Sequence, residues 1–248
     1  MILFASDLHL TPERPASARA FLDFLAGPAL QAAEVYLLGD VFDVWAGDDD
    51  LPDPFITSLC AGMKVLAESG VSLHFQRGNR DFLVGDAFAA ASGCDLLGDE
   101  VVRTIAGTPT LILHGDTLCS DDTRYQAFRS QVRSPTWQAD FLRRPLAERK
   151  AQIAALRERN REEKEMKAAT IMDVSAATVE AAFRRHGVSR IIHGHTHRPA
   201  CHELNIDGRT CQRWVLPEWR DAESGNCVGG YLSCQPEGWR LQRFPENP

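Results

Sequence analysis

Apolar residues recur along the first two-thirds of the chain in short runs, which are separated by longer stretches of mixed polarity. The runs have the length of buried β-strands and lie at Ile2–Ala5, Val35–Leu38, Val71–Phe75, Thr110–Leu113 and Arg190–Ile192. Stretches of helical length fall between them, for example at Ser17–Leu25 and Pro54–Glu68. This alternation of strands and helices predicts an α/β sandwich.

The stretch from Tyr125 to Met172 departs from this alternation because it is long, charged and helix-prone, with predicted breaks at Pro135 and Pro145. It lies between two predicted strands, so we interpret it as a helical insertion, a lid over about residues 121–172. The chain contains neither an internal repeat nor a low-complexity linker. We therefore expect a single domain over residues 1–248.

The pattern changes again after His202. Three further stretches are typical of β-strands, and a turn signal at Pro236-Glu237-Gly238 separates the last two; the stretches are Arg213–Leu216, Gly230–Cys234 and Trp239–Phe244. We expect them to extend the sheet in antiparallel fashion.

Composition narrows the class of protein. The 248 residues are 44% hydrophobic and 25% charged, which excludes disorder, collagen and coiled coil as the main architecture.

No apolar run approaches the roughly 18 residues that span a bilayer, and the apolar start of the chain is interpreted as a strand rather than a signal peptide. The seven cysteines include no C-x-x-C pair. Reduced cytoplasmic thiols are therefore favoured over a disulfide framework or a thiolate zinc site.

Charge is distributed unevenly. The net charge is −7, which argues against a general nucleic-acid-binding protein because affinity for phosphate backbones needs an excess of lysine and arginine. The segment from Arg124 to Lys167, however, carries twelve basic and six acidic residues. A basic segment on an acidic body suggests an anionic substrate or an anionic membrane surface.

Five short polar motifs each begin where an apolar run ends. They are Asp7-Leu8-His9, Gly39-Asp40 with Asp43, Gly78-Asn79-Arg80-Asp81, His114-Gly115-Asp116 and Gly194-His195-Thr196-His197. Ligands of α/β sheets gather beyond the carboxyl ends of the strands, so the five motifs can converge. Carboxylate, amide and imidazole ligands without thiolate suit Mn²⁺, Fe²⁺, Co²⁺ or Zn²⁺.

Taken singly, most of these motifs have an ordinary structural explanation. Asp7-Leu8-His9 fits a solvated loop better than a ligand pair, and Gly39-Asp40 fits a common turn. The pair His195 and His197 fits a structural role as well as a metal site. Chance alone rarely produces all five in this order, each after a strand.

The order of the motifs resembles the calcineurin-like metallophosphoesterase superfamily. The resemblance implies two packed mixed β-sheets flanked by helices, with two metal ions at the strand ends. It assigns one ion to Asp7, His9, Asp40 and His197, and the other to Asp40, Asn79, His114 and His195. Asp40 would then contact both ions.

Arg80 stands where most members of the superfamily have a histidine that assists the leaving group. Arginine does not donate a proton near neutral pH, but it binds phosphate through paired hydrogen bonds. A leaving group that is itself a phosphate needs little protonation. This difference favours a diphosphate substrate over a simple alkyl ester.

Longer strings resemble the UDP-2,3-diacylglucosamine hydrolases, the pyrophosphatases of bacterial lipid A synthesis. These strings are Gly47-Asp48-Asp49-Asp50, Gly78-Asn79-Arg80-Asp81-Phe82, His114-Gly115-Asp116-Thr117-Leu118-Cys119, Ile171-Met172-Asp173-Val174 and His193-Gly194-His195-Thr196-His197-Arg198-Pro199. The resemblance implies hydrolysis to UMP and 2,3-diacylglucosamine 1-phosphate (lipid X), with two Mn²⁺ per subunit, by water that attacks the phosphorus nearest uridine. It implies a peripheral protein on the cytoplasmic side of the inner membrane. It gives catalytic roles to Asp40, Asn79, Arg80, His114 and His195.

The insertion offers a possible contact surface for a phosphorylated sugar. If Ile153–Ile171 is helical, then Asn160, Lys164 and Lys167 share one face; the alternative is a solvated charged face. The family's substrate contacts correspond to Asn79, Arg80, Asp122, Asn160, Lys164, Lys167 and His195. Apolar residues of the insertion are expected mainly to pack it onto the body, with an acyl-chain groove as the alternative.

Supporting roles are expected for three other aspartates, Asp43, Asp81 and Asp116, which would orient ligands through hydrogen bonds. The acidic run Asp48–Asp50 is either a solvated loop or a functional segment. Two other functions remain open: a phosphoesterase of another specificity, such as a cyclic-nucleotide phosphodiesterase or nucleotide pyrophosphatase, and a non-catalytic scaffold. We expect neither a nucleic-acid partner nor a protein partner.

Overall fold

The computed structural model describes residues 1–164 and 173–245, and over residues 159–164 it describes the backbone alone. Within these ranges the chain forms helices α1 (Pro15–Ala26), α2 (Pro54–Glu68), α3 (Asp86–Ser92), α4 (Thr123–Val132), α5 (Pro135–Leu142), α6 (Leu146–Lys164) and α7 (Ala176–His186). The strands are β1 (Ile2–Ala5), β2 (Glu34–Leu38), β3 (Ser72–Gln76), β4 (Asp95–Leu97), β5 (Glu100–Ile105), β6 (Thr108–Leu113), β7 (Arg190–His193), β8 (Ala200–Ile206), β9 (Arg209–Val215), β10 (Arg220–Asp221), β11 (Cys227–Gln235) and β12 (Gly238–Phe244).

The strands form two mixed sheets. The first has the order β10-β11-β1-β2-β3-β4, and β12 also pairs with β11. Strands β1 to β4 of this sheet are parallel. The second has the order β5-β6-β7-β9-β8, with β6, β7 and β9 parallel and the two edge strands antiparallel. Two parallel sets of strands therefore end near one another, where the polar motifs follow.

One sequence prediction about the sheet is wrong in part. The stretch that contains Arg213–Leu216 was expected to add an antiparallel strand, but β9 runs parallel to β7, with His193 opposite Val215. The largely exposed β8 takes the edge, and β9, whose residues Cys211, Arg213 and Val215 are buried, returns between β8 and β7. Burial of alternate β9 side chains accounts for its inner position. β11 and β12 are antiparallel, as expected.

Apolar side chains fill the space between the sheets and beneath the helices. The inner faces meet through Phe4, Leu38, Ile112, Ile192 and Leu232, all of them buried. Helices α1, α2 and α3 cover the outer face of the first sheet, and α7 covers that of the second. The predicted class, two packed mixed sheets flanked by helices, is confirmed.

Helices α4 to α6 lie between β6 and β7, within the range predicted for the insertion, and the name insertion is kept for them below. Pro135 is the first residue of α5, where Ser134 accepts a hydrogen bond from the Trp137 amide at 3.3 Å. Pro145 directly precedes α6. Both proline breaks are therefore confirmed. The helix predicted to run to Ile171 is described as far as Lys164.

Buried contacts fasten the insertion to the body. The side chain of Arg149 is 1% exposed, and its guanidinium donates hydrogen bonds to the Ala46 carbonyl and to Asp49. Lys150 pairs with Asp50 at 2.7 Å. The Asp48 carboxylate accepts from the Gly85 and Phe88 amides, each at 3.0 Å. All three residues of the acidic run thus have partners, which the solvated-loop interpretation did not foresee.

In the described part of the chain, no helix has both the length and the apolar composition that crossing a bilayer requires.

Candidate metal centre

The seven predicted metal ligands converge at one edge of the two sheets. Asp7 and His9 follow β1, Asp40 follows β2, Asn79 follows β3, His114 follows β6, and His195 and His197 follow β7. Backbone hydrogen bonds join the first two loops, from the Asp7 amide to the Gly39 carbonyl at 3.1 Å and from the His9 amide to the Asp40 carbonyl at 2.9 Å. The strand ends therefore place these side chains together, as the sequence predicted.

Asp7, His9 and His197 form one group of potential ligands. Their ligand atoms lie within 4.8 Å of one another. His197 Nε2 is 3.3 Å from Asp7 Oδ1 and 3.4 Å from His9 Nε2. His9 Nδ1 is buried and has no hydrogen-bond partner among the described atoms. It lies 4.0 Å from Asp40 Oδ2, so Asp40 borders this group.

Asn79, His114 and His195 form the second group. Asn79 Oδ1 is 3.0 Å from His114 Nε2 and 2.8 Å from His195 Nδ1. The other Asp40 oxygen, Oδ1, is 3.7 Å from His114 Nε2. One oxygen of Asp40 thus faces each group, which is the placement that a carboxylate shared by two cations requires.

The backbone at this edge is strained. Five of the seven candidate ligands have positive φ, namely Asp7 (54°), His9 (48°), Asp40 (53°), His195 (66°) and His197 (55°). Among the described residues, the other non-glycine positions with positive φ are Ala106 and Asp207, each in the turn between two antiparallel strands. Such backbone is rare outside glycine and persists where the surrounding structure enforces it.

Two glycines allow the loops to approach closely. A Cβ atom at Gly78 would collide with Asp40, and one at Gly194 would collide with Asp7 and Ser6. These glycines explain why the motifs place Gly beside Asn79 and His195. They leave room for the carboxylates that face the centre.

The three predicted orienting aspartates each hold part of the centre. Asp81 accepts hydrogen bonds from the amides of Gly78 at 2.7 Å and Val41 at 2.8 Å, and so joins the loops after β2 and β3. Asp116 accepts from the Tyr125 hydroxyl at 2.6 Å and from Arg129 Nε at 2.7 Å.

Asp43, the third of these aspartates, contacts two arginines. Its Oδ1 lies 3.2 Å from Arg80 Nη1, and its Oδ2 lies 2.6 Å from Arg157 Nη2 of the insertion. The carboxylate therefore joins the strand-end loops to α6.

Electrostatics at the centre favour a bound cation. Burial, together with the nearby charges of Asp81 and Asp7, raises the pKa of the Asp40 carboxyl well above its ordinary value. Burial and the neighbouring His114 lower the pKa of His195 to about 4, so His195 is a neutral imidazole with a free lone pair at pH 7. His114 donates Nδ1–H to the Leu38 carbonyl at 2.8 Å, which leaves its Nε2 to face Asn79 and Asp40.

The donor set therefore fits divalent transition metals. Buried carboxylates, an amide oxygen and imidazole nitrogens face one another at short range, and one of the nitrogens has no protein partner. Such donors with no thiolate among them suit Mn²⁺, Fe²⁺, Co²⁺ or Zn²⁺.

The predicted substrate contacts are located only in part. Arg80 lies beside the centre: its amide donates to Asp40 Oδ1 at 2.8 Å, and its side chain is 26% exposed. Asp122 accepts a hydrogen bond from the Tyr125 amide at 3.1 Å and begins α4. Asn160 and Lys164 lie on α6, but their side chains are outside the described atoms, and Lys167 is outside the described residues.

Sequence reasoning did not single out several residues near the centre. Glu218 accepts a hydrogen bond from His197 Nδ1 at 2.7 Å. The ring of Tyr125 stacks near that of His195, with 6.1 Å between centroids. Glu218 follows β9, so the rule that finds ligands at parallel strand ends would have found it if β9 had been predicted parallel to β7. Tyr125 and Arg157 belong to the insertion and carry no comparable signal.

Comparison with known proteins agrees with this geometry. The sequence profile described as calcineurin-like phosphoesterase matches residues 1–199. The UDP-2,3-diacylglucosamine hydrolase of Aromatoleum aromaticum is 49% identical over 219 residues, which cover 88% of this chain and 89% of that protein. The enzyme of the same name from Stenotrophomonas maltophilia is 45% identical over 246 residues, 96% of each chain.

A solved structure supports the fold. The crystal structure of a dimetal phosphatase from Danio rerio has a TM-score of 0.50 at 14% identity, over 98% of this chain and 95% of that one. The matching profile and the relatives above lead to one conclusion: the chain is a metal-dependent hydrolase that belongs to the calcineurin-like phosphoesterases and, among them, to the family of the UDP-2,3-diacylglucosamine hydrolases.

Proposed function

We propose that this protein hydrolyses the diphosphate bond of UDP-2,3-diacylglucosamine to give UMP and 2,3-diacylglucosamine 1-phosphate in lipid A biosynthesis. The observation that carries the proposal is the convergence of seven candidate ligand side chains at one edge, with the Arg80 guanidinium beside them. The names of relatives that match 88% to 96% of the chain support this substrate.

The centre would hold two Mn²⁺ ions. Asp7, His9, Asp40 and His197 would hold one, and Asp40, Asn79, His114 and His195 the other. When bound, such ions lower the pKa of a water molecule and offset negative charge on the attacked phosphate. The two oxygens of Asp40, directed at opposite groups, support its assignment to both.

Arg80 would bind the part of the diphosphate that departs. Its guanidinium carries a fixed positive charge and needs no proton transfer, and Asp43 at 3.2 Å holds one side of it. If water attacks the phosphorus nearest uridine, the sugar 1-phosphate leaves as a stable anion. Arginine then stabilises the charge that develops on that anion. Asp40, Asn79, Arg80, His114 and His195 are the proposed catalytic residues.

The insertion, over about residues 121–172 of a single domain, would act as a lid that supplies further substrate contacts. The proposed contacts are Asn79, Arg80, Asp122, Asn160, Lys164, Lys167 and His195. Two observations support the lid: Arg157 of α6 reaches Asp43 at 2.6 Å, and Tyr125 of α4 lies against His195. Two of the insertion's three described helices, α4 and α6, thus border the candidate centre.

The same insertion would bind the cytoplasmic surface of the inner membrane peripherally. Phe128 and Leu142 on α4 and α5 are 37% and 40% exposed. Arg143 follows Leu142 in the sequence and is 77% exposed. Exposed apolar groups with cations suit an anionic lipid surface.

Product analysis tests the proposal. Purified protein with Mn²⁺ and UDP-2,3-diacylglucosamine should yield UMP and the acylated sugar 1-phosphate, and hydrolysis in oxygen-18 water should place the label in UMP. A label in the lipid phosphate would contradict the proposed site of attack. An unacylated UDP-sugar serves as the matched substrate; equal turnover of both would instead indicate a general nucleotide pyrophosphatase.

A further inference from the structure

Glu218 contacts a candidate metal ligand from outside the ligand set. Its Oε2 lies 2.7 Å from His197 Nδ1, and the two side chains are 34% and 33% exposed. A hydrogen bond between imidazole and carboxylate at this length is strong because the acceptor is charged. The pair is partly protected from solvent, so water and salt weaken it less than a surface contact.

The backbone around Glu218 is fixed from both sides. The Leu216 amide donates to the His193 carbonyl at 2.8 Å, at the end of β7. The Trp219 amide donates to the Asp7 carbonyl at 2.9 Å, just beyond β1. Glu218 is therefore held by the same two strand ends that carry His197 and Asp7.

Trp219 strengthens this anchor. Its indole is fully buried, donates to the Gly230 carbonyl at 2.8 Å and packs against Phe24, with 5.8 Å between ring centroids. A neighbour so firmly packed restricts the positions open to the Glu218 carboxylate. The contact with His197 is thus a feature of the folded chain and not of a free surface side chain.

The contact determines which nitrogen of His197 is available to a metal. Nδ1 carries the proton that Glu218 accepts, so Nε2 is the nitrogen that faces Asp7 and His9, at 3.3 and 3.4 Å, and the one on which a metal would replace a proton. Ligating histidines commonly donate their second N–H in this way, and a carboxylate acceptor makes the imidazole a stronger ligand.

The other group lacks an equivalent contact. His114 donates Nδ1–H to the neutral Leu38 carbonyl. Among the described contacts of the four candidate histidine ligands, His197 alone has a carboxylate outside the ligand set at hydrogen-bond distance. The two groups therefore differ chemically, because the imidazole that donates to a carboxylate outside the ligand set belongs to the Asp7–His9–His197 group.

We propose that Glu218 is a positioning residue that increases the metal affinity of the Asp7–His9–His197 group and leaves the Asn79–His114–His195 group unaffected. The inference rests on the proposed two-metal function. Removal of a carboxylate that orients a metal-bound histidine lowers metal affinity by about 10- to 100-fold.

If Glu218 had a purely structural role, that role would depend on a contact other than the one with His197. Its other described charged neighbour is Arg220, whose Nε is 4.0 Å away and whose side chain is 65% exposed. Such a surface pair contributes little to stability. Loss of this pair alone would change neither metal affinity nor, to a measurable extent, the melting temperature.

Calorimetric titration of the metal-free protein with Mn²⁺ tests the inference. Wild type should bind two ions, and Glu218→Gln, which keeps the shape but not the charge, should weaken one binding event by about 10- to 100-fold and leave the other unchanged. Glu223→Gln removes an exposed charge from the nearby turn between β10 and β11 and should match wild type. At saturating Mn²⁺ the variant should keep the wild-type KM for the diphosphate substrate.

A double-mutant cycle separates positioning from a general loss of structure. In a His197→Ala background, Glu218→Gln should have no further effect on Mn²⁺ affinity, because its partner is gone. Additive losses, an unchanged affinity at both sites, or equal weakening of both sites with a lower melting temperature of the metal-free protein would each overturn the inference. If wild type binds no divalent metal, the proposed function itself fails.

Discussion

The candidate metal centre and the helical insertion hold their functional side chains in different ways. At the centre, side chains from five strand ends are buried or half-buried and hydrogen-bonded to neighbouring loops, and five of the seven candidate ligands have positive φ. In the insertion, a few anchors such as Arg149 fix long helices whose polar faces remain in solvent. Reaction chemistry needs a rigid site, whereas recognition of a large substrate tolerates movement. Mutations in the two regions should therefore have different signatures.

Asp40→Ala should produce the largest effect, because both groups of ligands lose a carboxylate oxygen. We expect a fall of more than about 1,000-fold in kcat/KM, beyond the loss typical of one transition-state contact, together with loss of bound metal measured by mass spectrometry. Asp7→Ala removes a ligand from one group and should be less severe. Comparable, mild losses in the two folded variants would contradict the shared role of Asp40.

Arg80→Ala should separate chemistry from metal binding within the centre. We expect kcat/KM to fall by about 100- to 1,000-fold with metal content unchanged, because the guanidinium is not among the ligands. Arg80→Lys should recover part of the loss, since the charge remains but the planar pair of donors does not. Steady-state kinetics with metal analysis of each variant provide the measurement. Loss of metal in Arg80→Ala would show that the contact between the Arg80 guanidinium and Asp40, 3.7 Å from Nε to Oδ2, is structural.

The double substitution Lys164→Ala and Lys167→Ala should affect recognition alone. Two lost charged contacts should raise the KM for the lipid substrate by about 10-fold or more and leave metal content intact. Lys150→Ala, on α6 like Lys164, is the matched control, because Lys150 pairs with Asp50 at the surface. Equal effects on a soluble phosphodiester and on the lipid substrate would remove the case for substrate contact.

Arg149→Met should lower the stability of the insertion, and of these substitutions it should affect the metal centre least. The buried guanidinium loses its contacts with Asp49 and the Ala46 carbonyl, so we expect a loss of about 1.5–3 kcal/mol. Melting temperature falls by about 2–4 °C per kcal/mol in a chain of this size. Faster hydrogen exchange should be confined to α5 and α6. Exchange that rises equally in β1 and β2 would show that the two regions are not separable.

Much of the centre could be predicted because its signal is local. Each ligand lies within a few residues of an apolar run, and β1 and α2 have the predicted bounds Ile2–Ala5 and Pro54–Glu68. The exposed edge strand β8 has no apolar run and was not found. Strand position depends on contacts between distant segments, which explains the wrong orientation expected for β9 and the failure to identify Glu218.

The contact partners of side chains in the insertion were harder to predict, because they too depend on contacts between distant segments. Arg149 and Asp49 are 100 positions apart, and nothing in either local pattern indicates the other. A charged helix face is normally solvated, so one buried arginine among many exposed ones has no distinct signature. Only the packed structure selects it.

The positive-φ backbone at the centre has a consequence for how a metal arrives. Each such residue costs about 1–3 kcal/mol of folding free energy. The hydrophobic cores on both sides of the first sheet offset this cost when the chain folds. An arriving cation finds its donors assembled, so the entropy lost in binding is that of the ion and not that of the polypeptide. A zinc finger is unfolded without its metal. This protein, by contrast, should keep its tertiary structure after treatment with a chelator and should bind metal again when the metal is returned.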